Sequence, residues 1–272
     1  MTERAERFRA LHESGCFALA NAWDAGSARL LDGMGFQALA TTSAGLAFML
    51  GRRDGEAAVS RAEALANARD IIGATDLPVS ADLEDGYGPA PEDAAATVRE
   101  AVAAGLCGCT IEDTTANPDD PIHGFDAAVA RVAAAVEAAR AAPHPFVLTA
   151  RAENFLHGRP DLDDTIRRLV AFAEAGADCL YAPALPDEDA IRAVVRAVAP
   201  KAVNVLMGPR SGLLPAARLA ALGVRRVSVG GSIARAAYAA AIQAGEWLAA
   251  GDLPAFAAVM PHGEINRRMR GR

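Results

Sequence analysis

Three acidic side chains stand together at the end of one apolar stretch of the chain. Residues 78–83 are typical of a buried strand, which ends in Asp82, Glu84 and Asp85 and is followed by a Gly-Tyr-Gly turn at 86–88. Asp82 and Glu84 are two residues apart, so in a strand their side chains point to the same side. Carboxylates this close repel one another unless a cation lies between them, and their oxygens are ligands that hard divalent cations prefer. The stretch therefore indicates either a divalent-metal site or an acidic surface loop.

Polar residues also follow the other apolar stretches. Arg151 stands at the end of one of them, and its guanidinium suits bidentate binding of a carboxylate. A metal ion together with this arginine would receive a small dianionic substrate. The alternative is a structural ion pair between Arg151 and its acidic neighbours. The other polar residues at such ends are Asn21, Trp23, Asp24, 41–45, Glu112, Asp113, Glu153, Asn154, Asn204, Ser228 and 230–232.

The elements that must position these residues repeat along the chain. Four times an Ala-rich amphipathic helix ends in a glycine, at Gly35, Gly105, Gly176 and Gly223, and a short apolar run follows. Glycine just past a helix end is the usual left-handed cap, and strand-length runs that alternate with helices indicate parallel βαβ units. The predicted strands are 16–20, 36–40, 77–83, 106–111, 145–150, 177–181, 202–206 and 224–229.

Eight strands that alternate with helices favour a single α/β domain over residues 1–272, a (β/α)8 TIM-type barrel. An open doubly wound nucleotide-binding sheet is disfavoured, because no G-x-G-x-x-G follows the first strand. Active sites of such barrels lie at the carboxyl ends of the strands, which is where the polar residues stand. Two helices, at 233–250 and 254–268, are expected after the last strand, one more than a barrel needs.

The composition excludes several other classes of function. Hydrophobic residues make up 52% of the chain, which allows a large core, and a net charge of -7 argues against nucleic acid as a partner. No apolar run approaches the ~20 residues of a membrane span. The cysteines at 16, 107, 109 and 179 lie in or beside apolar stretches and are interpreted as reduced thiols of a cytoplasmic protein. Lys201 is the only lysine and begins a strand, so Schiff-base chemistry at the opposite end of a barrel is not expected.

Seven motifs, in this order, resemble the isocitrate lyase / phosphoenolpyruvate mutase superfamily, and the resemblance covers most of the chain. They are Asn-Ala-Trp-Asp-Ala-Gly-Ser-Ala-Arg at 21–29, Thr-Thr-Ser-Ala-Gly-Leu-Ala at 41–47, Gly-Arg-Arg-Asp-Gly at 51–55, Ala-Asp-Leu-Glu-Asp-Gly-Tyr-Gly at 81–88, Ile-Glu-Asp at 111–113, Ala-Arg-Ala-Glu at 150–153 and Val-Gly-Gly-Ser-Ile-Ala-Arg at 229–235. The chain is similar to 2-methylisocitrate lyases and carboxyvinyl-carboxyphosphonate phosphorylmutases, as a divergent member.

The resemblance implies an enzyme that makes or breaks a C–C or P–C bond next to an α-keto acid, through a pyruvate-like enolate. The implied cofactor is Mg2+, or Mn2+ in its place, acting as a Lewis acid on the enolate oxygen. By the resemblance, Asp82 is the direct metal ligand, and Glu84 and Glu112 support it through water. The substrate is expected to be a small α-keto or 2-hydroxy acid.

The resemblance also implies roles for residues beside the metal. Ser43, with the backbone of Ala44 and Gly45, is expected to donate hydrogen bonds to the keto oxygen and carboxylate. Asp54 is similar to the acid that the family places near the metal, and Arg151 to its substrate-carboxylate clamp. Among the residues at strand ends, Asn204 is expected to add a substrate contact.

In this family the last helix of the barrel is exchanged between subunits. That exchange accounts for the extra C-terminal helix, with residues 233–272 as the exchanged segment. A homodimer or homotetramer is therefore expected.

The chain departs from the family in the loop after the fourth strand. The isocitrate and methylisocitrate lyases carry a Lys-Lys/Arg-Cys-Gly-His loop whose thiol donates a proton, whereas residues 114–123 here contain neither Cys nor Lys. Pro183 occupies the place where the lyases have a glutamate after the sixth strand. His123 is a candidate replacement proton donor, with a solvated loop histidine as the alternative.

Three functions remain open from the sequence. The first is a Mg2+-dependent lyase, decarboxylase or hydrolase of a small α-keto or 2-hydroxy acid. The second is a barrel that binds an α-keto acid without converting it, which the altered loop favours. The third is a mutase or hydrolase that acts on the P–C bond of phosphonopyruvate.

Overall fold

The computed structural model describes residues 1–115, 117–208 and 213–270. The predicted loop 114–123 therefore includes one position, 116, outside the described residues. The predicted C-terminal segment 233–272 likewise extends past them at 271–272.

Within the described residues, eight parallel strands close into one barrel in sequential order, β1 to β8, with β8 pairing back to β1. The predicted (β/α)8 barrel is thereby confirmed. The register places Glu112 beside Arg151 and Arg151 beside Tyr181, so three neighbouring strands present these side chains at one level. The strands are β1 Phe17–Asn21, β2 Leu39–Ala40, β3 Val79–Asp82, β4 Gly108–Glu112, β5 Val147–Arg151, β6 Cys179–Tyr181, β7 Ala202–Leu206 and β8 Arg226–Ser228.

Helices cover the outside of the barrel and extend beyond it at both ends of the chain. They begin where the sequence supplies caps: Asp24 caps α2 together with Ser27, and Ser60 caps α4 together with Glu63. The helices are α1 Thr2–Leu11, α2 Ala25–Asp32, α3 Ser43–Met49, α4 Arg61–Ala74, α5 Pro91–Ala104, α6 Phe125–Arg140, α7 Leu162–Glu174, α8 Glu188–Val198, α9 Ala216–Ala221, α10 Ser232–Ala249 and α11 His262–Arg268, with a 3-10 helix at Leu253–Ala258.

The core lies between the barrel and its helices and consists largely of Ala, Val and Leu side chains. Such small residues let the layers approach closely. At Gly108, for example, a Cβ atom would lie 2.5 Å from the carbonyl oxygen of Val147 on the neighbouring strand, so only glycine fits there. None of the helices that the structure describes has the length and apolarity needed to cross a membrane.

Two sequence predictions are corrected by the structure. The helix expected at 254–268 is broken into the 3-10 helix and α11, because Pro261 disfavours helical backbone at Met260. The stretch at 41–45, expected as a loop, contains the start of α3, which Thr42 caps through its side-chain oxygen.

Candidate active site

Arg151, the last residue of β5, lies at the centre of a cluster of acidic side chains. Its Nη1 is 2.9 Å from both Asp82 Oδ1 and Glu112 Oε2, and its Nε is 2.8 Å from Glu153 Oε1. The ring of Tyr181 lies beneath the guanidinium, 5.0 Å from Cζ to the ring centroid. We call Arg151, Asp82, Glu112 and Glu153 the Arg151 cluster. Nη2 of Arg151 donates no hydrogen bond to the described residues, which leaves that nitrogen for a ligand.

The Asp82 carboxylate is held by groups from three strand ends. Its Oδ2 accepts hydrogen bonds from the backbone N–H and the Oγ of Ser43, at 3.2 and 2.9 Å. Its Oδ1 accepts one from Thr110 Oγ1 at 3.2 Å, and its backbone N–H donates to Thr41. The structure therefore brings together four residues that the sequence assigned to the site. They are Ser43, Asp82, Glu112 and Arg151, and they lie at the carboxyl ends of β2 to β5.

Three acidic groups of the site, Asp54, Glu84 and Glu112, have raised pKa values. Burial, reinforced by the charges of Asp82 and Asp54, raises the pKa of Glu84 to about 7. Burial also raises the pKa of Glu112 well above its ordinary value, and partial burial beside Asp82 raises that of Asp54. Although burial alone would lower it, the surrounding carboxylates raise the pKa of Arg151. Within the described ranges, the acidic side chains of the site outnumber its arginine, Arg151.

The donor set of the site suits a hydrated divalent cation. No three His, Cys, Asp or Glu side chains within the described ranges converge into a ready-made metal cluster. However, Asp82, Glu84 and Glu112 supply carboxylate oxygens, and burial, followed by the charge of neighbouring carboxylates, raises the pKa values of Glu84 and Glu112, a cost that a bound cation would offset. Mg2+ commonly retains several waters and contacts only one or two carboxylates. The residues present therefore fit a Mg2+ ion that keeps several of its waters, rather than an ion that three side chains bind directly.

Helix α3 presents its first turn to the site, but not all of its amides are available. The Ser43 amide donates to Asp82, and the Gly45 amide donates to Thr42 Oγ1 at 3.4 Å. Gly45 is required by packing, since a Cβ there would lie 2.7 Å from Trp23 Cβ. Of the three donors expected from the sequence, the Ala44 amide is the one without a partner in the described part of the chain.

Asn204 lies away from the site that the sequence assigned to it. It is in the middle of β7 and only 2% exposed, and both side-chain groups are engaged: Nδ2 donates to Ser228 Oγ at 3.0 Å, and Oδ1 accepts from Arg226 Nε at 2.9 Å. Arg226 also contacts Thr149 Oγ1 and His12 Nε2, at 2.9 and 3.2 Å. We call Arg226, Asn204, Thr149 and His12 the Arg226 cluster. It fills the barrel interior toward the amino ends of the strands, so the predicted substrate contact at Asn204 is replaced by a core hydrogen bond.

His123 lies beside the Arg151 cluster rather than in it. Its backbone is fixed by hydrogen bonds to Asp113 and Arg168, both 2.8 Å long. Its side chain lines a chamber next to Glu84, and Nε2 is buried without a hydrogen-bond partner among the described atoms. Burial lowers the pKa of His123, so the imidazole is neutral at pH 7.

The cavities at this end of the barrel form a row. A central pocket of about 230 Å³ contains Arg151, Ser43 and Asp54. On one side lies a chamber of about 520 Å³, which we call the side chamber, and on the other a cavity of about 340 Å³ at the start of α10. The arrangement positions one arginine, several acids and a free amide around a space that suits a small carboxylic acid.

The sequence placed Glu153 at a strand end but gave it no role, and it did not single out Thr114 or His157. Glu153 binds Arg151 and is buried, Thr114 donates to Glu112 at 2.8 Å, and His157 contributes to the wall of the central pocket. The spacing of Arg151 and Glu153, two residues apart at a strand end, was the available signal for a pair. No local pattern marks Thr114 or His157.

Comparisons with known proteins agree with this geometry. The family description of phosphoenolpyruvate phosphomutase matches residues 8–248. The chain belongs to this family. It is a member of the phosphoenolpyruvate mutase / isocitrate lyase superfamily, whose members include lyases and mutases.

Three relatives illustrate the range of this superfamily. A crystal structure of a provisionally assigned lyase/mutase from Burkholderia cenocepacia is 54% identical, with a TM-score of 0.95 over 99% of this chain and 96% of that one. An oxaloacetate decarboxylase from Paraburkholderia xenovorans is 31% identical over 84% of this chain and 76% of its own length. A structure of oxaloacetate acetylhydrolase with its product oxalate is 26% identical, with a TM-score of 0.87 over 98% and 93% of the two chains.

Within the phosphoenolpyruvate phosphomutase family, this chain has no accessible thiol in the site. Cys107, Cys109 and Cys179 are buried, and Cys16 is partly buried near the opposite end of the barrel. Burial raises the pKa of Cys109 and Cys179, so both are protonated at neutral pH. The expectation of free, buried thiols is confirmed for Cys107, Cys109 and Cys179.

Proposed function

We propose that this protein is a Mg2+-dependent lyase that cleaves a C–C bond of a small 2-oxo or 2-hydroxy acid through an enolate. Decarboxylation of an oxaloacetate-like 2-oxo diacid is the first reaction to test. The observation that carries the proposal is the Arg151 cluster: a cation held by three carboxylates, with Nη2 uncommitted, beside the first turn of α3. The similarity to an oxaloacetate decarboxylase supports the choice of substrate.

The residues of the central pocket and of the first turn of α3 have separate tasks in this reaction. Arg151 Nη2 binds the carboxylate next to the keto group, which fixes the orientation of the substrate. The Ala44 amide donates a hydrogen bond to the keto oxygen, where negative charge develops as the C–C bond breaks. The departing carboxylate leaves as CO2, and the electron pair of the broken bond becomes that of the enolate.

The enolate must then receive a proton on carbon. Asp54 lines the central pocket, and burial beside Asp82 raises the pKa of Asp54, which favours its protonated form. We assign it the transfer of that proton to the enolate carbon, which yields pyruvate from oxaloacetate. When bound by Asp82, Glu84 and Glu112, Mg2+ would supply Lewis-acid stabilisation of the enolate oxygen.

The proposal is tested by product release from a panel of substrates. Purified protein is incubated with oxaloacetate, 2-methylisocitrate, citramalate and phosphonopyruvate, each with Mg2+ and with a chelator, and pyruvate and phosphate are measured. We expect Mg2+-dependent pyruvate from at least one carboxylic acid. Asp54→Asn should reduce kcat about a hundredfold while leaving substrate binding intact, because a positioned acid commonly contributes at least that much.

Asp126→Asn, at an exposed position in the first turn of α6, is the matched control and should leave kcat unchanged. Absence of turnover on every compound, together with absence of Mg2+-dependent thermal stabilisation by any 2-oxo acid, would contradict the proposal.

A phosphonopyruvate mutase or hydrolase is the second candidate. The family match is to phosphoenolpyruvate phosphomutase, and the cavity at the start of α10 holds Arg235 beside Ser232 and two glycines, a lining that can accept an anionic group. Phosphate release from phosphonopyruvate would select the hydrolase, and its conversion to phosphoenolpyruvate would select the mutase, in each case without pyruvate from the carboxylic acids.

We further propose that the protein is a homo-oligomer joined through its C-terminal segment. Large apolar side chains of this segment are exposed in the single chain, among them Ile242 at 64%, Leu253 at 63% and Val259 at 50%. A surface of this kind, continuous along α10 and the 3-10 helix, is costly in water and suits burial against a second copy of the chain.

The oligomer is tested by light scattering after size exclusion. The unmodified protein should elute as a dimer or tetramer, and Ile242→Asp with Leu253→Asp should yield monomers that retain the fold by circular dichroism. A monomeric unmodified protein at micromolar concentration would overturn the proposal.

A further inference from the structure

The side chamber is more than twice as large as the central pocket and opens beside it. The two share Glu84, Asp85 and Thr115, so a ligand in the central pocket can extend past Glu84 into the chamber. A two-carbon or three-carbon acid bound at Arg151 would leave this volume to water.

The wall of the side chamber away from the central pocket is mainly apolar. Val59, Tyr87 and Pro89 form it, together with backbone of the turn after β3. Val59 is only 6% exposed, so its position is fixed by core packing. A wall of this kind gains free energy from burial of alkyl carbon, and each buried methylene is worth about 0.8 kcal/mol, or roughly fourfold in affinity.

The charges around the side chamber disfavour an anionic group. Its one arginine, Arg61, is engaged: Nη1 donates to Thr97 Oγ1 at 3.3 Å, and Nη2 pairs with Glu100 Oε1 at 3.3 Å. The other ionisable side chains of its wall are His123, the phenol of Tyr87 and the carboxyls of Glu84 and Asp85. An added carboxylate would meet repulsion here without an available cation among the described residues.

The cavity on the opposite side of the central pocket differs in this respect. It contains the exposed Arg235, whose Nη2 lies 3.1 Å from Ser232 Oγ at the start of α10. A charged arm of a substrate is therefore better accommodated there, and an uncharged arm in the side chamber.

We propose that the side chamber is a specificity subsite for an uncharged alkyl substituent, so that the substrate class is an alkyl-branched 2-oxo or 2-hydroxy acid. The inference rests on the proposed function, because it places the carboxylate at Arg151. Thr115, which lines both cavities, and His123, which lines the side chamber, are the neutral polar groups that such an arm would pass.

The test uses stable 2-hydroxy acids as binding probes. Dissociation constants of malate, 3-methylmalate, 3-propylmalate and 3-carboxymethylmalate are measured by calorimetry with Mg2+. We expect affinity to rise about fourfold per added methylene, so that 3-propylmalate binds at least tenfold more tightly than malate. Any gain of the charged 3-carboxymethylmalate over malate should survive substitution of Val59, because its arm would lie in the cavity that contains Arg235.

Two variants locate the effect in the side chamber. Val59→Phe adds bulk to the side chamber and should abolish the gain in affinity of 3-propylmalate over malate. The same variant should leave the dissociation constant of malate within about threefold. The smaller change Val59→Ile should reduce the gain in affinity in part. Val170→Phe, at a partly buried position on α7, controls for added bulk elsewhere and should leave the gain intact.

The outcomes separate the two proposals. If malate binds but alkyl branching brings no gain, or if Val59→Phe weakens all probes equally, the subsite is overturned while the proposed function stands. If no probe binds in the presence of Mg2+ and no 2-oxo acid is converted, the proposed function fails and the subsite with it.

Discussion

Two arginines in the same barrel have opposite surroundings. Arg151, at the carboxyl ends of the strands, contacts three carboxylates and borders an open pocket. Arg226, toward the amino ends, is 1% exposed, and the partners of its guanidinium are Asn204, Thr149 and the neutral His12. One end of the barrel concentrates charge where a ligand can reach it, and the other distributes a single charge over neutral groups that no ligand reaches.

The difference shows how a barrel separates stability from chemistry. A buried cation among neutral acceptors has a fixed set of hydrogen bonds and little freedom to rearrange. A cation among several acids sits in an electrostatic field that a metal ion or a substrate carboxylate can change. We therefore expect substitutions in the Arg226 cluster to alter the free energy of unfolding, and substitutions in the Arg151 cluster to alter catalysis as well.

The largest effect is expected from Arg151→Met. Loss of the substrate contact should reduce kcat/KM about a thousandfold, a typical result for removal of a preorganised donor. The buried carboxylates of Glu112 and Glu153 would lose their cation, which should lower the free energy of unfolding by about 3 kcal/mol at pH 8. Steady-state kinetics and urea unfolding measure both. Arg196→Met, on the exposed side of α8, is the control and should leave kcat/KM unchanged. If Arg151→Met keeps kcat/KM within tenfold of the unmodified value, the Arg151 cluster is not the site of catalysis.

Arg226→Met should affect stability and spare catalysis. The substitution leaves the acceptors of Asn204 and Thr149 without their donor inside the barrel, at a cost of about 3 kcal/mol in the free energy of unfolding. The kcat/KM of the folded variant should remain within about twofold, measured well below its unfolding temperature. A drop in kcat/KM as large as that of Arg151→Met would show that both clusters serve the reaction.

His12 should make stability depend on pH. Its ring packs between Phe8 and Phe17, with centroids 4.8 and 5.1 Å away, and burial together with the charge of Arg226 lowers the pKa of His12 to about 3. Because its ordinary pKa is 6.5, the unfolded chain binds the proton first as the pH falls. The contribution of neutral His12 to the free energy of unfolding is complete above pH 6.5 and is lost as the pH falls from 6.5 to 3. At pH 5 the loss relative to pH 8 is at most about 2 kcal/mol.

The measurement compares urea unfolding of the unmodified protein and His12→Gln at pH 8 and pH 5. Glutamine can still accept from Arg226 but does not titrate, so its variant should lose less stability over this range. Equal losses in the free energy of unfolding of the two proteins would show that protonation of His12 does not cause the pH dependence.

Asn204→Ser should give the smallest effect. Serine is too short to reach both Arg226 and Ser228, so the free energy of unfolding should fall by about 1 kcal/mol, the usual value of a buried hydrogen bond. KM should be unchanged, because Asn204 lies below the central pocket. A rise in KM of tenfold or more would restore the substrate role that the strand-end position suggested.

The sequence was most informative where a signal is local. Gly105, Gly176 and Gly223 follow helices with positive φ angles, and the strands after them lie within two residues of their predicted starts. The acids of β3 and β4 and Arg151 of β5 were identified by their position at strand ends, and the structure brings them together. The break in the C-terminal helix was missed although Pro261 marks it, because the apolar pattern continues across the proline.

The sequence by itself determined the barrel, the family motifs and the types of side chain at each strand end, because helix and strand periodicity and cap chemistry act within a few residues. Only the tertiary structure decided which polar groups meet. Asp82 and Arg151 are 69 residues apart, and Asn204 and Arg226 are 22 apart. Alternation fixes which side of a strand a side chain faces, but the stagger of strands around the closed barrel fixes its depth. That depth places Asn204 in the interior, Arg151 at the rim, and the side chamber beside it.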